Sequence, residues 1–249
     1  MKSRIVRSQP DLVVEGLEKR YDQSEVLRSL TFTLSAGSRV GLVGANGAGK
    51  STLLRTLAGL THRSGGTVRH GARLFPAGET VALVPQGKPV YGALTAKAAL
   101  TVARDLNRGM WDEETPRQWL DAFDVPSGRP CSRLSGGEHS HVAIALALGR
   151  RVPVLIMDEP FAELDPVARE DAIAMLRAVL DRTGQTLLIS SHLLSDIEQL
   201  CDRLLVMNTG RVVLNGSPQE IAQAHPGQRL TEVVMDAMRP VSRSARTVA

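Results

Sequence analysis

GANGAGKST, residues 44–52, sets the architecture of this chain. It fits the pattern G-x-x-x-x-G-K-[ST], in which glycines let the backbone turn its N–H groups inward around a phosphate while a lysine offsets the phosphate charge. The flanks agree with it. Residues 39–44 form an apolar run of the buried-strand type, and after the loop Leu53, Leu54, Leu57 and Ala58 recur at helical spacing as far as Gly59, a stop signal. Strand, glycine-rich loop and helix follow in that order, which aims the helix dipole at the bound anion. Gly44, Asn46, Gly47, Gly49, Lys50, Ser51 and Thr52 are the expected nucleotide contacts, with Lys50 on the β- and γ-phosphates and Ser51 holding magnesium.

Outward from the loop, residues 12–18 and 30–34 carry alternating or β-rich patterns and predict an antiparallel sheet at the N-terminus. Residues 81–84, 154–157 and 186–190 are short apolar runs, each near a helical segment, and predict a parallel central sheet. Residues 95–106 and 116–123 read as helices, with no strong strand between Gln86 and Arg151, so an inserted helical lobe is expected there. Asp165 as cap and Pro166 at the first helical position open another helix, residues 166–180. Residues 203–208 and 211–214, joined by Thr209-Gly210, read as a hairpin. The fold class is therefore α/β: a P-loop core with a parallel sheet, an N-terminal antiparallel β-subdomain and the helical insert.

Two further segments carry chemistry. VLIMDEP, residues 154–160, is an apolar strand ending in two acids. Asp158 is suited to orient magnesium through water, and Glu159, in a dry setting, to act as general base on an attacking water. No N-K-x-D element for guanine recognition is present, so ATP is favoured over GTP. RLSGGEHS, residues 133–140, precedes the apolar run 142–148 and places Ser135, Gly136 and Gly137 at a second helix N-terminus open to an anion.

LSGG between a P-loop and an acidic strand resembles the signature sequence of the ABC ATPase family, and the resemblance runs over about residues 12–216. It implies further roles at matching positions. Tyr21 matches the aromatic residue that stacks on adenine, and Gln86 the Q-loop glutamine, a magnesium ligand at the junction with the helical lobe. Asp165 in FAELD matches the D-loop aspartate that reaches across a dimer, a role compatible with its helix cap. His192 in SSH matches the switch histidine that contacts the γ-phosphate and holds the attacking water. Catalytic roles thus fall to Glu159 and His192, with ATP and magnesium as ligands and Ser51, Gln86 and Asp158 around the metal. The resemblance also implies a head-to-tail pair of such domains, in which each signature loop closes on the nucleotide held by the opposite P-loop. Membrane-spanning transporter subunits are the implied partners, received by a groove in the lobe. The implied place is the cytoplasmic face of the cell membrane, as a peripheral subunit.

Departures from the family pattern are local. Glu138 stands where Gln is frequent, His141 and Leu146 where Arg is expected, and Ala162-Glu163 where a small pair is usual. Glu138 is a tolerated variation; the loss of arginine at 141 predicts weaker local ion pairing, and His141, Leu146 and Ala162-Glu163 bear on the dimer interface. None removes a residue assigned to phosphate, magnesium or water, so a competent ATPase is expected.

Composition narrows the alternatives. With 249 residues, 43% of them hydrophobic, the chain can bury a full core, and its net charge of +4 is too small to imply nucleic acid. Excess base sits partly at the ends, in Lys2, Arg4, Arg7, Arg239, Arg243 and Arg246, which read as solvated tails. Cys131 and Cys201 suggest neither a disulfide framework nor a zinc site. No run approaches the roughly 20 apolar residues of a membrane span, and no secretory signal follows the basic N-terminus. The expected division is a tail over 1–11, the ATPase domain over 12–230 with its lobe at about 87–150, and a partly disordered tail over 231–249. An ABC ATPase acting on nucleic acid or protein assembly is the rival class, but no coiled-coil insertion or tandem second domain is visible. Export is favoured over import because GALTAKAAL and SSHLLSDIEQLCDR resemble exporter ATPases and no added regulatory domain follows.

Overall fold

The computed structural model describes residues 11–71, 73, 74 and 80–239. The first part of the chain runs β1 (Leu12–Tyr21), β2 (Ser24–Leu34), β3 (Arg39–Gly44), α1 (Lys50–Leu57), β4 (Gly65–His70), β5 (Arg73–Leu74) and β6 (Val81–Val84). Three helices follow, α2 (Ala96–Leu106), α3 (Glu114–Ala122) and α4 (Gly136–Leu148). Then come β7 (Val154–Asp158), α5 (Pro166–Thr183), β8 (Thr186–Ser190), α6 (Leu194–Leu200), β9 (Arg203–Asn208), β10 (Arg211–Gly216), α7 (Pro218–Ala224) and α8 (Leu230–Met238).

Two sheets result. The antiparallel one has the order β2-β1-β4-β5, and the six-stranded one β10-β9-β3-β8-β7-β6. In the latter β6, β7, β8, β3 and β9 are parallel and β10 folds back on β9. This is the α/β arrangement that the apolar runs predict, because strands covered on both faces need no polar alternation. Along β7, Val154 and Ile156 face the core shared with the antiparallel sheet and α1, whereas Leu155 and Met157 face the core built with α4 and α5. β8 and β9 alternate in the same way: Leu188 and Leu205 point to the first core, Leu187, Ile189, Leu204 and Val206 to the second. The central sheet is thus the wall between two cores, and its strand ends carry the P-loop, Asp158 and Ser190.

The helical lobe between β6 and β7 contains no named strand among the described residues, as expected. Its helix α4 starts earlier than the apolar run 142–148, at Gly136, because Ser135 and Glu138 close a capping box that recruits the polar residues 136–141. Sequence reading missed β4, β5, α6, α7 and α8. The signal for α7 was present: Ser217 caps it, Pro218 occupies its first turn and Glu220 completes a capping box. The boundary drawn at residue 230 needs correction, since α8 begins there and buries Val233 and Val234, so the chain packs as far as Met238. The remaining stretches expected as tails, 1–10 and 240–249 with Lys2, Arg4, Arg7, Arg243 and Arg246, lie outside the described residues. Among the described residues no helix is long and apolar enough to cross a membrane.

Candidate functional site

The loop between β3 and α1 is held from behind. The Thr209-Gly210 turn of the β9–β10 hairpin has positive φ at both residues, 44° and 78°, as a tight two-residue hairpin requires. Gly210 N–H donates to Ala48 O at 3.1 Å, and Arg28 N–H donates to Gly210 O at 2.8 Å, tying loop, hairpin and β2 together. At the front, Ala45, Asn46 and Gly47 are exposed. Gly49 caps α1 with φ 101°, a conformation other residues reach only with strain, and no side chain caps the helix. The first N–H groups of α1 are therefore left to a ligand. Lys50 is buried, and its Nζ donates to Gly44 O at 2.7 Å and lies 3.3 Å from Ala45 O, which pins the ammonium inside the loop. Ser51 and Thr52 follow, half-buried on the first turn of α1.

Asp158 and Glu159 end β7, where parallel register sets Asp158 opposite Ser190 of β8. Ser190 Oγ donates to Asp158 Oδ1 at 2.6 Å and accepts from Glu159 N–H at 3.0 Å, so one hydroxyl orients both acids. Sequence reading did not single out Ser190; its signal was a polar residue closing an apolar strand. Glu159 has φ 48°, strained for a non-glycine residue, and follows the buried Asp158 directly. Gln86 Nε2 approaches Glu159 Oε2 at 3.5 Å and His192 Nδ1 lies 3.7 Å from the same oxygen. Three residues from separate parts of the chain, Gln86, Glu159 and His192, thus converge. The carboxylate is mostly buried while the imidazole is 53% exposed and open to a ligand from the front.

At α4, Ser135 N–H donates to Glu138 Oε2 at 2.7 Å and Ser135 Oγ accepts from Glu138 N–H at 3.2 Å. The Ser135 N–H holds the Glu138 carboxyl below the usual carboxylate range, with the nearby Arg129 adding to the effect. Ser135 and Gly136 are exposed, and so is Asp165, which caps α5 by accepting from Val167 and Ala168 N–H at 3.0 Å each. Tyr21 is 44% exposed, not a core residue, and Lys19 Nζ stands 4.5 Å from its ring centroid.

The departures from pattern have individual explanations. His141 is buried and stacks on Phe123, ring centroids 4.0 Å apart and 13° from parallel. Burial, helped by the charge of Lys88, pushes its pKa down to about 4, so it is a neutral aromatic filler. Leu146 lines a cleft of about 240 Å³ between the lobe and the sheet, with Pro85, Val90, Ala103, Leu106 and Ala143. Glu163 lies over Gly136, where an added Cβ would come within 2.6 Å of Glu163 Oε2.

A phosphate loop backed by a parallel sheet, with two acids at the end of the neighbouring strand pair, defines a nucleotide-binding protein of the P-loop class. Comparison with known proteins specifies it further. The pattern of the ABC transporter family matches residues 27–162. The chain is 36% identical over 204 residues to the thiamine import ATP-binding protein ThiQ of Jannaschia sp. (strain CCS1), covering 79% of this chain and 89% of that one. It is 34% identical over 248 residues to the Nod factor export ATP-binding protein I of Ralstonia nicotianae, covering 93% of this chain and 74% of that one. A solved ATP-binding subunit of an ABC transporter superposes with a TM-score of 0.81 at 26% identity, covering 92% of this chain and 99% of that chain. The chain belongs to the ABC transporter family, as an ATP-binding subunit and an ATPase.

Proposed function

We propose that this subunit works in a head-to-tail pair, hydrolysing ATP between the P-loop of one copy and the signature loop of the other, and that it powers export through separate membrane-spanning subunits. The observation that carries the reading is the placement of two anion-facing helix ends in one chain. The first, with its own lysine and glycine-rich loop, is complete within this chain; the second, with Ser135, Gly136 and Asp165, faces solvent. A second copy supplies what the second site needs. The gain is differential, because the γ-phosphate is present before hydrolysis and absent after it.

In this reading Tyr21 stacks on the adenine, Lys50 and the loop N–H groups hold the phosphates, and Glu159 accepts the proton of the attacking water as the β–γ bridge bond breaks. His192 contacts the γ-phosphate. Ser51, Gln86 and, through water, Asp158 would hold magnesium. All are hard oxygen donors, and a single buried carboxylate suits a cation that keeps phosphates and waters as its other ligands. Bound there, the ion neutralises phosphate charge.

The lobe, about residues 87–150, is read as the part that meets the membrane subunit. Its cleft is lined mainly by apolar side chains, and Leu106 and Tyr91 are strongly exposed beside it. The alignment with the Nod factor export relative, which spans 93% of this chain, supports export. The higher identity to the thiamine import relative favours import as the second reading. Affinity purification of the Glu159→Gln chain from native membranes with ATP tests both. A polytopic membrane protein in stoichiometric yield is expected, and its fold decides the direction. A soluble protein or nucleic acid in its place would overturn the transport role.

A further inference from the structure

Lys88 is the least expected charge in the molecule. It follows Gln86 by two residues, its side chain is only 2% exposed, and its backbone takes a left-handed φ of 40°. It has no part in the proposed nucleotide contacts or in hydrolysis. Burial of an ammonium is costly unless it is paired and hydrogen-bonded, and strained backbone persists only where surrounding structure holds it. Both costs are met here by contacts that reach out of the Q-loop in two directions.

Toward the lobe, Lys88 Nζ donates to Ser140 Oγ at 2.9 Å, and Ser140 Oγ donates in turn to Gly136 O at 2.9 Å. The relay ends on the first residue of the signature helix. Helix α4 has no lysine or arginine of its own, so this charge arrives from another segment. Toward the sheet, Lys88 Nζ lies 3.7 Å from Glu163 Oε1. The Glu163 carboxylate also packs over Gly136, and Glu163 is two residues from Asp165. On its own segment, Lys88 N–H donates to Pro85 O at 2.8 Å, which ties the turn that presents Gln86 to Glu159.

We infer that Lys88 is a positioning residue that holds the Q-loop, the signature helix and the loop bearing Asp165 in one register, so that the surface offered to the partner's nucleotide is assembled together with the residues around Glu159. The inference rests on the head-to-tail reading. Without Lys88 each segment keeps its own caps, but Gly136 and Glu163 lose the shared cation that fixes their separation. ATP still binds to the P-loop of each copy, because Lys50 and its loop are tied to β2 and the β9–β10 turn instead. Closure of the pair is the step that suffers.

The test compares the full-length Glu159→Gln chain with the same chain carrying Lys88→Met, which keeps the volume and removes the charge. ATP affinity of the monomer is read by fluorescent-nucleotide titration and ATP-driven dimerisation by sedimentation velocity. With Lys88→Met, half-dimerisation is expected to need about tenfold more protein, while monomer affinity for ATP stays within about twofold. Lys88→Arg is expected to recover most of the loss. Glu163→Gln is expected to matter less in the Lys88→Met background than in the parent, the non-additivity of a shared contact. Ser140→Ala, which cuts the relay but leaves the charge, should move dimerisation the same way by about threefold. Should Lys88→Met fail to fold, Ser140→Ala and Glu163→Gln decide alone. Equal dimerisation of parent and variants overturns the inference and leaves the paired reading intact. A parent that stays monomeric with ATP overturns both. Loss of monomer ATP binding in step with dimerisation reduces Lys88 to a structural residue.

Discussion

Helix α1 starts at Gly49 with no side-chain cap and no acid in its first turn, whereas α4 starts at Ser135 inside a complete capping box and carries Glu138. Both ends point at solvent and both suit an anion, but they are finished to different degrees. The N–H groups of α1 have no partner in their own side chains, and Lys50 adds a fixed positive charge, so on the proposed reading this end needs no second molecule to hold phosphate. At α4 one first-turn N–H is already satisfied by Ser135, and a carboxylate held in its charged form stands beside it. Its pull on an anion is weaker and depends on a second molecule bringing the phosphate. On the proposed reading the molecule then has one permanent phosphate site and one conditional one, which suits a pair that must open again after hydrolysis.

The sharpest way to separate the two ends is to stop the chemistry between them. Glu159→Gln is expected to lower kcat by about 10² to 10⁴ while ATP binding persists, the range for loss of a general base. Turnover near the parent's would place the base elsewhere. Next in size, Lys50→Met removes the charge that makes α1 self-sufficient and should weaken ATP binding about a hundredfold in nucleotide titrations, as expected for a lost charge-assisted bond to phosphate. A loss confined to a few-fold would mean that the two ends are alike after all.

Smaller effects probe the finish of α4. Glu138→Gln keeps an acceptor for the Ser135 N–H but removes the negative charge, so ATP-driven dimerisation should strengthen by about threefold, the scale of one charge near a helix N-terminus. Weaker dimerisation would show that the carboxylate itself is needed. Ser135→Ala should cost about 1 kcal/mol through loss of the cap, or a few degrees in Tm for a chain of this size. An unchanged Tm would mean that Glu138 alone closes the helix.

A separate effect, read in acid sensitivity, probes the packing of the lobe. His141 titrates near 4 in the folded chain against 6.5 in the unfolded one, so between these values the unfolded state binds more protons. This contribution to stability is complete above about pH 6.5 and is lost as pH falls toward about 4. His141→Phe, which can still stack on Phe123, should flatten the fall in urea midpoint between pH 7 and pH 5. An unchanged slope would mean that the imidazole is already protonated in place.

Much of the candidate site was legible because its chemistry is local. A backbone cradle needs glycines and a lysine at fixed spacing, so residues 44–52 announce themselves, and Asp165-Pro166 marks a helix start for equally local reasons. The buried strands were readable as apolar runs because both faces of the central sheet are covered. The departures at His141 and Leu146 were read as interface questions. One proves to be a core stacking residue and the other a wall of the cleft, since a residue's place on a helix does not say which neighbour covers it. The terminal helices were missed where their apolar patterns are short and their packing against β9 and β10 decides the outcome.

By itself, the sequence determined the phosphate loop, the strand and helix that frame it, the capped helix starts and the order of the motifs, because each depends on a few neighbouring residues. Only tertiary structure decided that Ser190 orients both acids, that Gln86 and His192 meet at Glu159, and that Lys88 joins the Q-loop to Ser140 and Glu163. Those contacts depend on the register of parallel strands and on how the lobe sits against the sheet, and residues about 30 to 75 positions apart acquire a fixed distance only when the whole chain has packed.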